Sequence, residues 1–171
     1  MPKFVDLSHD VEDGMITYPG LPAPRVSQFL DRATSRTRYA PGTEFQIDRI
    51  EMVGNTGTYL DSPRHRYDVG NDLAALPLAS VADLDGIVVR CPYQEGLAIG
   101  AEAFEKLDVS RSAVLIHTGW STRWRTEAYT APHPHLTEQA ARFLASHGAT
   151  LVGIDSLNID SIETGERPAH S

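Results

Sequence analysis

The stretch TEQAARFLASHGATLVGI occupies residues 137–154 and predicts a helix followed directly by a buried strand. Thr137 is suited to cap the helix N-terminus, and Glu138 favours the positive end of the helix dipole. The apolar side chains between residues 137 and 147 recur at helical spacing. Gly148 can end the helix in a left-handed conformation, and the β-branched run at 149–154 follows it. The segment is therefore typical of an α/β protein.

Two further apolar runs support the same fold class. Residues 86–90 read GIVVR and residues 113–116 read AVLI. Because both runs are continuous rather than alternating, they predict strands covered on both faces. A short helix is predicted over 100–107. We interpret the whole chain, 1–171, as one α/β domain.

The first half of the chain is rich in turns and short strands. Residues 6–25 contain five Gly and Pro residues, which predict a series of turns. Residues 42–53 carry apolar side chains of one parity and then of the other. This pattern predicts two strand pieces joined by a bulge near Asp48 and Arg49.

Composition limits the function classes. The chain has 171 residues, 41% of them hydrophobic, and a formal net charge of -8. An acidic protein is a poor partner for phosphate backbones, so nucleic acid is excluded as the main ligand. Cys91 is the only cysteine, which rules out an internal disulfide. No apolar run is long enough for a signal peptide or a membrane-spanning helix, so we expect a cytoplasmic location and no membrane partner.

The segment GNTGTYLDSPRHR, residues 54–66, has the densest set of chemically active side chains. Asp61 and His65 lie four residues apart, and Pro63 between them restricts the backbone. A carboxylate and an imidazole on such a segment suit a Zn²⁺ or Mn²⁺ site, or a general-base pair. The alternative is an ordinary Asp-Ser-Pro turn with a solvated histidine.

Other histidines and aromatics offer weaker signals. His117 and Trp120 follow the strand at 113–116, where the sites of α/β proteins gather, although Trp120 equally fits a core position. His133 and His135 lie in a Pro-rich loop and are predicted to be structural. The chain has no Gly-x-Ser-x-Gly elbow, so a serine-hydrolase mechanism is not indicated.

The segment at 55–65 resembles the signature of the cyclase-type metal-dependent hydrolases, the family of bacterial kynurenine formamidase. That signature reads His-x-Gly-Thr-His-x-Asp-x-Pro-x-His. Asn55 and Tyr59 replace its first two histidines here. The remaining signature positions match: Gly57, Thr58, Asp61, Pro63 and His65. Further segments resemble the family in the same order along the chain: Asp6–His9, Tyr18–Gly20, His117–Trp120, Leu151–Ser156 and Pro168–His170.

The resemblance implies a swivelling β/β/α fold with a central mixed sheet flanked by helices, and a divalent cofactor, zinc or manganese. Its altered ligand positions imply that metal binding is weakened or lost. It also implies roles for individual residues: metal ligation by Asp61, His65, His170 and Asn55; catalysis by His65 and Tyr59; and substrate binding by Tyr18, His117 and Trp120.

Two functions follow from the resemblance. The first is hydrolysis of a small amide, a formamide, or a cyclic ester or amide. The second is a metal-free relative that binds a small aromatic ligand without hydrolysis, because two histidine ligands are replaced. The family's glutamate ligand beyond His170 has no counterpart before Ser171, so we expect a chain lacking the family's C-terminal segment. The family also implies a homodimer or homotetramer.

Overall fold

The structure is a computed structural model that describes residues 4–171. Its contacts divide the chain into two compact units, with the boundary between Leu60 and Asp61. The boundary falls inside the signature segment. The mixed α/β class is confirmed, with antiparallel pairing in the first unit and parallel pairing in the second.

The first unit is built around a two-stranded antiparallel ribbon. Strand β1, Arg25–Leu30, pairs with strand β2, Ile47–Glu51. Between them lies the short helix α1, Arg32–Arg36. Asp31 caps this helix by accepting a 2.7 Å hydrogen bond from the Thr34 N–H. Such caps stabilise short helices that have few internal hydrogen bonds.

The predicted bulge near Asp48 and Arg49 is wrong. Asp48 pairs with Gln28 and Arg49 pairs with Ser27, so both lie inside the ladder of a single strand. The irregularity falls on the opposite strand, between Gln28 and Leu30. The apolar residues before Asp48 and those after Arg49 therefore point to opposite faces of one regular strand. Both faces of this strand are exposed, so neither requires a continuous apolar pattern.

The second unit is built around a three-stranded parallel sheet. The strands β3, β5 and β7 follow the order β3-β5-β7. A smaller parallel pair joins β4 to β6, and helix α2 connects β6 to β7. The bounds in chain order are β3 Gly86–Arg90, β4 Ala98–Ile99, β5 Ala113–His117, β6 His135–Leu136, α2 Glu138–Ser146 and β7 Leu151–Ile154. The three predicted strands are therefore confirmed, the last with a later start.

The core of the second unit lies on one face of the parallel sheet. Val89, Val114 and Ile116 point into it, together with Phe104 and Leu144. The prediction that all three strands are covered on both faces is wrong for β3. Val88 on the other face is 59% exposed. Strand β3 lies at the edge of this sheet and alternates between buried and exposed side chains.

Helix α2 has the predicted ends, whereas the helix predicted over 100–107 does not form. The Thr137 hydroxyl accepts a 3.2 Å hydrogen bond from the Ala140 N–H, and Gly148 takes a φ of +79° just after the helix. Only a single 3-10 turn forms at Ala101–Ala103. A segment this short cannot sustain an α-helix alone, and the buried Phe104 fixes it to the core instead.

Within residues 4–171, no helix is long and apolar enough to cross a membrane.

Candidate metal centre

The turn that carries Asp61 and His65 is held by backbone hydrogen bonds. Pro63–His65 forms one 3-10 turn, and the Tyr67 N–H donates to the Pro63 carbonyl at 2.9 Å. Gly70 closes the loop against this turn: a Cβ atom at Gly70 would lie 2.6 Å from the Pro63 carbonyl carbon. A side chain there would collide with backbone rather than with a flexible group. The loop therefore depends on glycine at this position.

Three side chains of the second unit converge at this turn: Asp61, His65 and His170. The His65 Nδ1 lies 3.3 Å from Asp61 Oδ1, and the His170 Nε2 lies 3.7 Å from Asp61 Oδ2. One ligand atom from each residue lies within 4.8 Å of the others. The sequence placed His170 more than one hundred residues away from the other two, and the fold brings it to them.

The three side chains differ in their exposure to solvent. His65 is 42% exposed, Asp61 29% and His170 15%. The other nitrogen of the His170 ring is also held, because Nδ1 lies 2.5 Å from Oδ2 of the buried Asp160. The cluster is thus anchored on the His170 side and open on the His65 side.

The donor set of the cluster fits a divalent cation. Imidazole nitrogens and a carboxylate oxygen are donor types that suit Zn²⁺ or Mn²⁺. Ligating histidines usually donate their other N–H to a carboxylate, which is the contact that His170 makes with Asp160.

An open groove of about 1440 Å³ begins at the cluster, entirely within the second unit. His65 and His170 are among its lining residues, together with Arg66, Phe143 and Arg167. The groove gives a small molecule access to the exposed side of the cluster. Its lining includes cationic, acidic and aromatic side chains.

The signature residues Asn55 and Tyr59 belong to the first unit, where the structure explains the neighbouring Gly57. Gly57 has a φ of +67°, and a Cβ there would lie 2.8 Å from Val11 Cγ2. Only glycine meets both conditions without strain. The roles of Asn55 in metal binding and Tyr59 in catalysis stay predictions, as does the substrate role of Tyr18, which is half-buried in a turn of the same unit.

The predicted substrate residues His117 and Trp120 lie in different surroundings. His117 is exposed at the end of β5, and its Nδ1 lies 3.3 Å from Arg90 Nη1. Trp120 is buried, and its indole N–H donates to the Tyr129 carbonyl at 3.0 Å. The position of Trp120 supports a packing role, and substrate binding by either residue stays a prediction.

Asp160 and Arg167 are the residues near the cluster that sequence reasoning missed. Asp160 is fully buried behind His170. The Arg167 guanidinium donates to the carbonyls of Ser161, Thr164 and Glu166 at 2.7–2.9 Å. No periodicity marks either residue. The one available signal was an aspartate ten residues before a candidate ligand.

His133 is structural, in keeping with its sequence context, and burial lowers its pKa. The ring is 2% exposed, and Nδ1 lies 3.0 Å from the Pro134 carbonyl and 3.1 Å from the Ser156 hydroxyl. Desolvation is the main cause of the lowered pKa, and it outweighs the hydrogen bond to Pro134 that favours the charged ring.

The lowered pKa of His133 predicts acid destabilisation. Between about pH 6.5 and the lower folded-state pKa, the unfolded chain binds a proton that the folded chain does not. The free energy of unfolding should therefore fall as the pH drops below about 6.5, by at most about 1.4 kcal/mol per pH unit from this group. Urea unfolding of wild type and His133→Gln from pH 8 to pH 5 measures the difference. Equal pH slopes in the two proteins would contradict this assignment.

The fold and the cluster together define a mixed α/β protein with a carboxylate–histidine site suited to a divalent cation. The family named Cyclase, described as "Putative cyclase", matches residues 5–161. The chain therefore belongs to the cyclase family.

One relative in sequence and two solved structures of similar fold are similar to this chain. The chain is 26% identical over 173 residues to the kynurenine formamidase of Geobacillus thermodenitrificans (strain NG80-2), covering 99% of this chain and 76% of that protein. Isatin hydrolase A from Labrenzia aggregata, solved with benzyl benzoate, has a similar fold with a TM-score of 0.76 and 21% identity. The alignment covers 97% of this chain and 74% of that one. A predicted metal-dependent hydrolase from Bacillus stearothermophilus aligns with a TM-score of 0.68 and 24% identity, covering 97% of this chain and 74% of that one.

Proposed function

We propose that this chain is a metal-assisted hydrolase that cleaves a small amide, formamide or cyclic amide. The observation that carries the proposal is the convergence of Asp61, His65 and His170, the two histidines of which line an open groove. The family membership and the names of the relatives support hydrolysis. A cluster of two imidazoles and a carboxylate suits this chemistry better than it suits a purely structural role.

The three side chains have different tasks in this proposal. Asp61 and His170 are the less exposed pair, and we assign them to hold the ion. A divalent ion held there would polarise the substrate carbonyl and lower the pKa of water. His65 is the most exposed of the three, and we assign it the proton transfer. As water adds to the carbonyl carbon, His65 takes a proton from it. His65 then returns the proton to the leaving nitrogen when the C–N bond breaks.

The relatives favour an aryl substrate. One is named a kynurenine formamidase and the other an isatin hydrolase, so an arylformamide and isatin are the first two substrates to test. The groove beside the cluster is lined by Phe143 and by both cationic and acidic side chains, among them Arg66, Arg167, Glu138 and Glu166.

Replacing His65 by Gln separates proton transfer from metal binding. If His65 is the general base, the variant should lose about 10²- to 10⁴-fold in kcat for an arylformamide or isatin while keeping near-wild-type affinity for Zn²⁺ or Mn²⁺. The measurement is steady-state hydrolysis with each metal, alongside a calorimetric metal titration. His147→Gln is the matched control for metal affinity, because His147 ends helix α2 and is not one of the clustered side chains.

The replacement of two signature histidines by Asn55 and Tyr59 favours one competing function, a metal-free binder of small aromatic ligands. That function predicts no turnover by wild type with any metal and ligand binding that a chelator does not alter. Turnover that a chelator abolishes and added Zn²⁺ or Mn²⁺ restores would support the hydrolase. Turnover unaffected by a chelator would contradict the metal-assisted mechanism.

A further inference from the structure

The carboxylate of Asp160 makes an unusually complete set of contacts with the end of the chain that carries His170. Oδ1 accepts a 2.8 Å hydrogen bond from the Ala169 N–H. Oδ2 accepts from the His170 backbone N–H at 3.3 Å and from the His170 ring at 2.5 Å. Asp160 is fully buried, so water does not compete for these oxygens.

Hydrogen bonds within the loop between Asp160 and His170 hold these two residues close together. Arg167 donates to three loop carbonyls, which closes residues 161–167 into a compact turn. The Asp160 N–H is itself held at 2.9 Å by the Asn158 side-chain oxygen. The His170 N–H also donates to the Arg167 carbonyl at 3.2 Å, so hydrogen bonds from the backbone N–H groups of both residues hold the Asp160–His170 contact.

The contact decides which nitrogen of His170 carries a proton. A carboxylate only accepts hydrogen bonds, so His170 Nδ1 must donate. The neutral ring then has its lone pair on Nε2, the atom that lies 3.7 Å from Asp61 Oδ2. A bare lone pair and a carboxylate oxygen at this separation repel one another, and either a divalent cation held by both residues or a second ring proton would remove the repulsion.

We infer that Asp160 is the positioning residue of the cation site, because it fixes the His170 tautomer whose Nε2 can bind a metal. This inference rests on the proposed function, since it assigns a role within the same site. Asp160 itself touches neither metal nor substrate. Its effect reaches the site only through the orientation and protonation of the His170 ring.

Asp160→Asn should reverse the tautomer without changing the shape of the side chain. Two backbone N–H groups donate to Asp160, and the one from Ala169 is the closer, at 2.8 Å against 3.3 Å for His170, so we expect the amide oxygen of Asn to face Ala169. The amide NH₂ group then faces His170 Nδ1 and donates to it. The ring proton moves to Nε2, which can no longer act as a ligand in that form.

The tautomer can be read directly by ¹⁵N NMR of histidine-labelled protein without metal, at alkaline pH. The His170 signals are assigned by their loss in His170→Gln. Wild type should show Nδ1 protonated and Nε2 bare, and Asp160→Asn should show the reverse. A wild-type ring with its proton on Nε2, or on both nitrogens, would overturn the inference without any variant.

Metal affinity provides the second readout. Asp160→Asn should weaken Zn²⁺ binding by about 10- to 100-fold in a calorimetric titration. The control is Asp155→Asn, another carboxylate that accepts three hydrogen bonds, from Thr118 and Gly119, but none from a histidine. It should leave the His170 tautomer and the Zn²⁺ affinity unchanged.

The tautomer measurement and the Zn²⁺ titration distinguish failure of this inference from failure of the proposed function. A reversed tautomer in Asp160→Asn with unchanged Zn²⁺ affinity would remove Asp160 from the metal site and contradict the inference. The expected tautomers, with no Zn²⁺ binding by wild type, would contradict the proposed function but leave the positioning of His170 by Asp160 in place.

Discussion

Replacing His170 by Gln is expected to weaken Zn²⁺ or Mn²⁺ binding by about 100-fold or more. Tight zinc sites with four ligands bind with about 10–16 kcal/mol, so one ligand accounts for about 3 kcal/mol. His170 is one of the two side chains assigned to hold the ion, so its loss removes the imidazole ligand. Gln is the chosen substitute because its amide N–H can still donate to the buried Asp160, which keeps that carboxylate satisfied.

Calorimetric titration of metal-free protein measures this effect. His147→Gln is the matched control, since it removes an exposed imidazole from the end of helix α2. A loss of less than about threefold in His170→Gln, within the usual scatter of single-site effects, would show that His170 is not a ligand. Unfolding curves for both variants should overlap with wild type to within about 1 kcal/mol, which separates ligand loss from misfolding.

Replacing Phe104 by Ala is expected to have the largest effect on stability. Phe104 is fully buried and belongs to the core cluster that includes Val109, Val114 and Leu144. Truncating a buried phenylalanine costs about 3–5 kcal/mol, from lost burial and from the cavity that remains. A domain of ordinary stability has about 5–15 kcal/mol in total, so the loss is a large share.

Urea unfolding followed by circular dichroism tests the Phe104 prediction. Val88→Ala is the control, because Val88 is an apolar side chain on the exposed face of β3 and should cost about 0.5 kcal/mol or less. If Phe104→Ala does not accumulate in folded form, Phe104→Leu gives a milder test, with an expected cost below the alanine value. Equal costs for the Phe104 and Val88 variants would contradict the assignment of the core.

The parts of the fold that sequence could predict are those fixed by local chemistry. Helix α2 carries its own cap at Thr137 and its own stop at Gly148, so its bounds are local properties. Strands β3 and β5 are apolar runs bounded by polar residues. The turn at 101–103 looked like a helix because its side chains favour one, but the packing of Phe104 decided its conformation.

The long-range parts could not be predicted from the residues alone. Strand β1 was not predicted, because its side chains are mostly exposed and give no clear alternation of apolar and polar residues. Asp61 and His65 were identified as a pair from their spacing. His170 entered only through the family resemblance, and the burial of Asp160 behind it depends on a loop closed by Arg167. Such a contact is a property of the folded backbone.

The central claim is that Asp61 and His170, beside His65, form a divalent-cation site. The most direct test is the metal content of protein purified without chelator or nickel resin, by elemental analysis before and after incubation with excess Zn²⁺ or Mn²⁺. We expect about one ion per chain in wild type, from a single cluster. We expect a clear loss in His170→Gln. Wild-type protein that holds far less than one ion per chain even after incubation would contradict the claim.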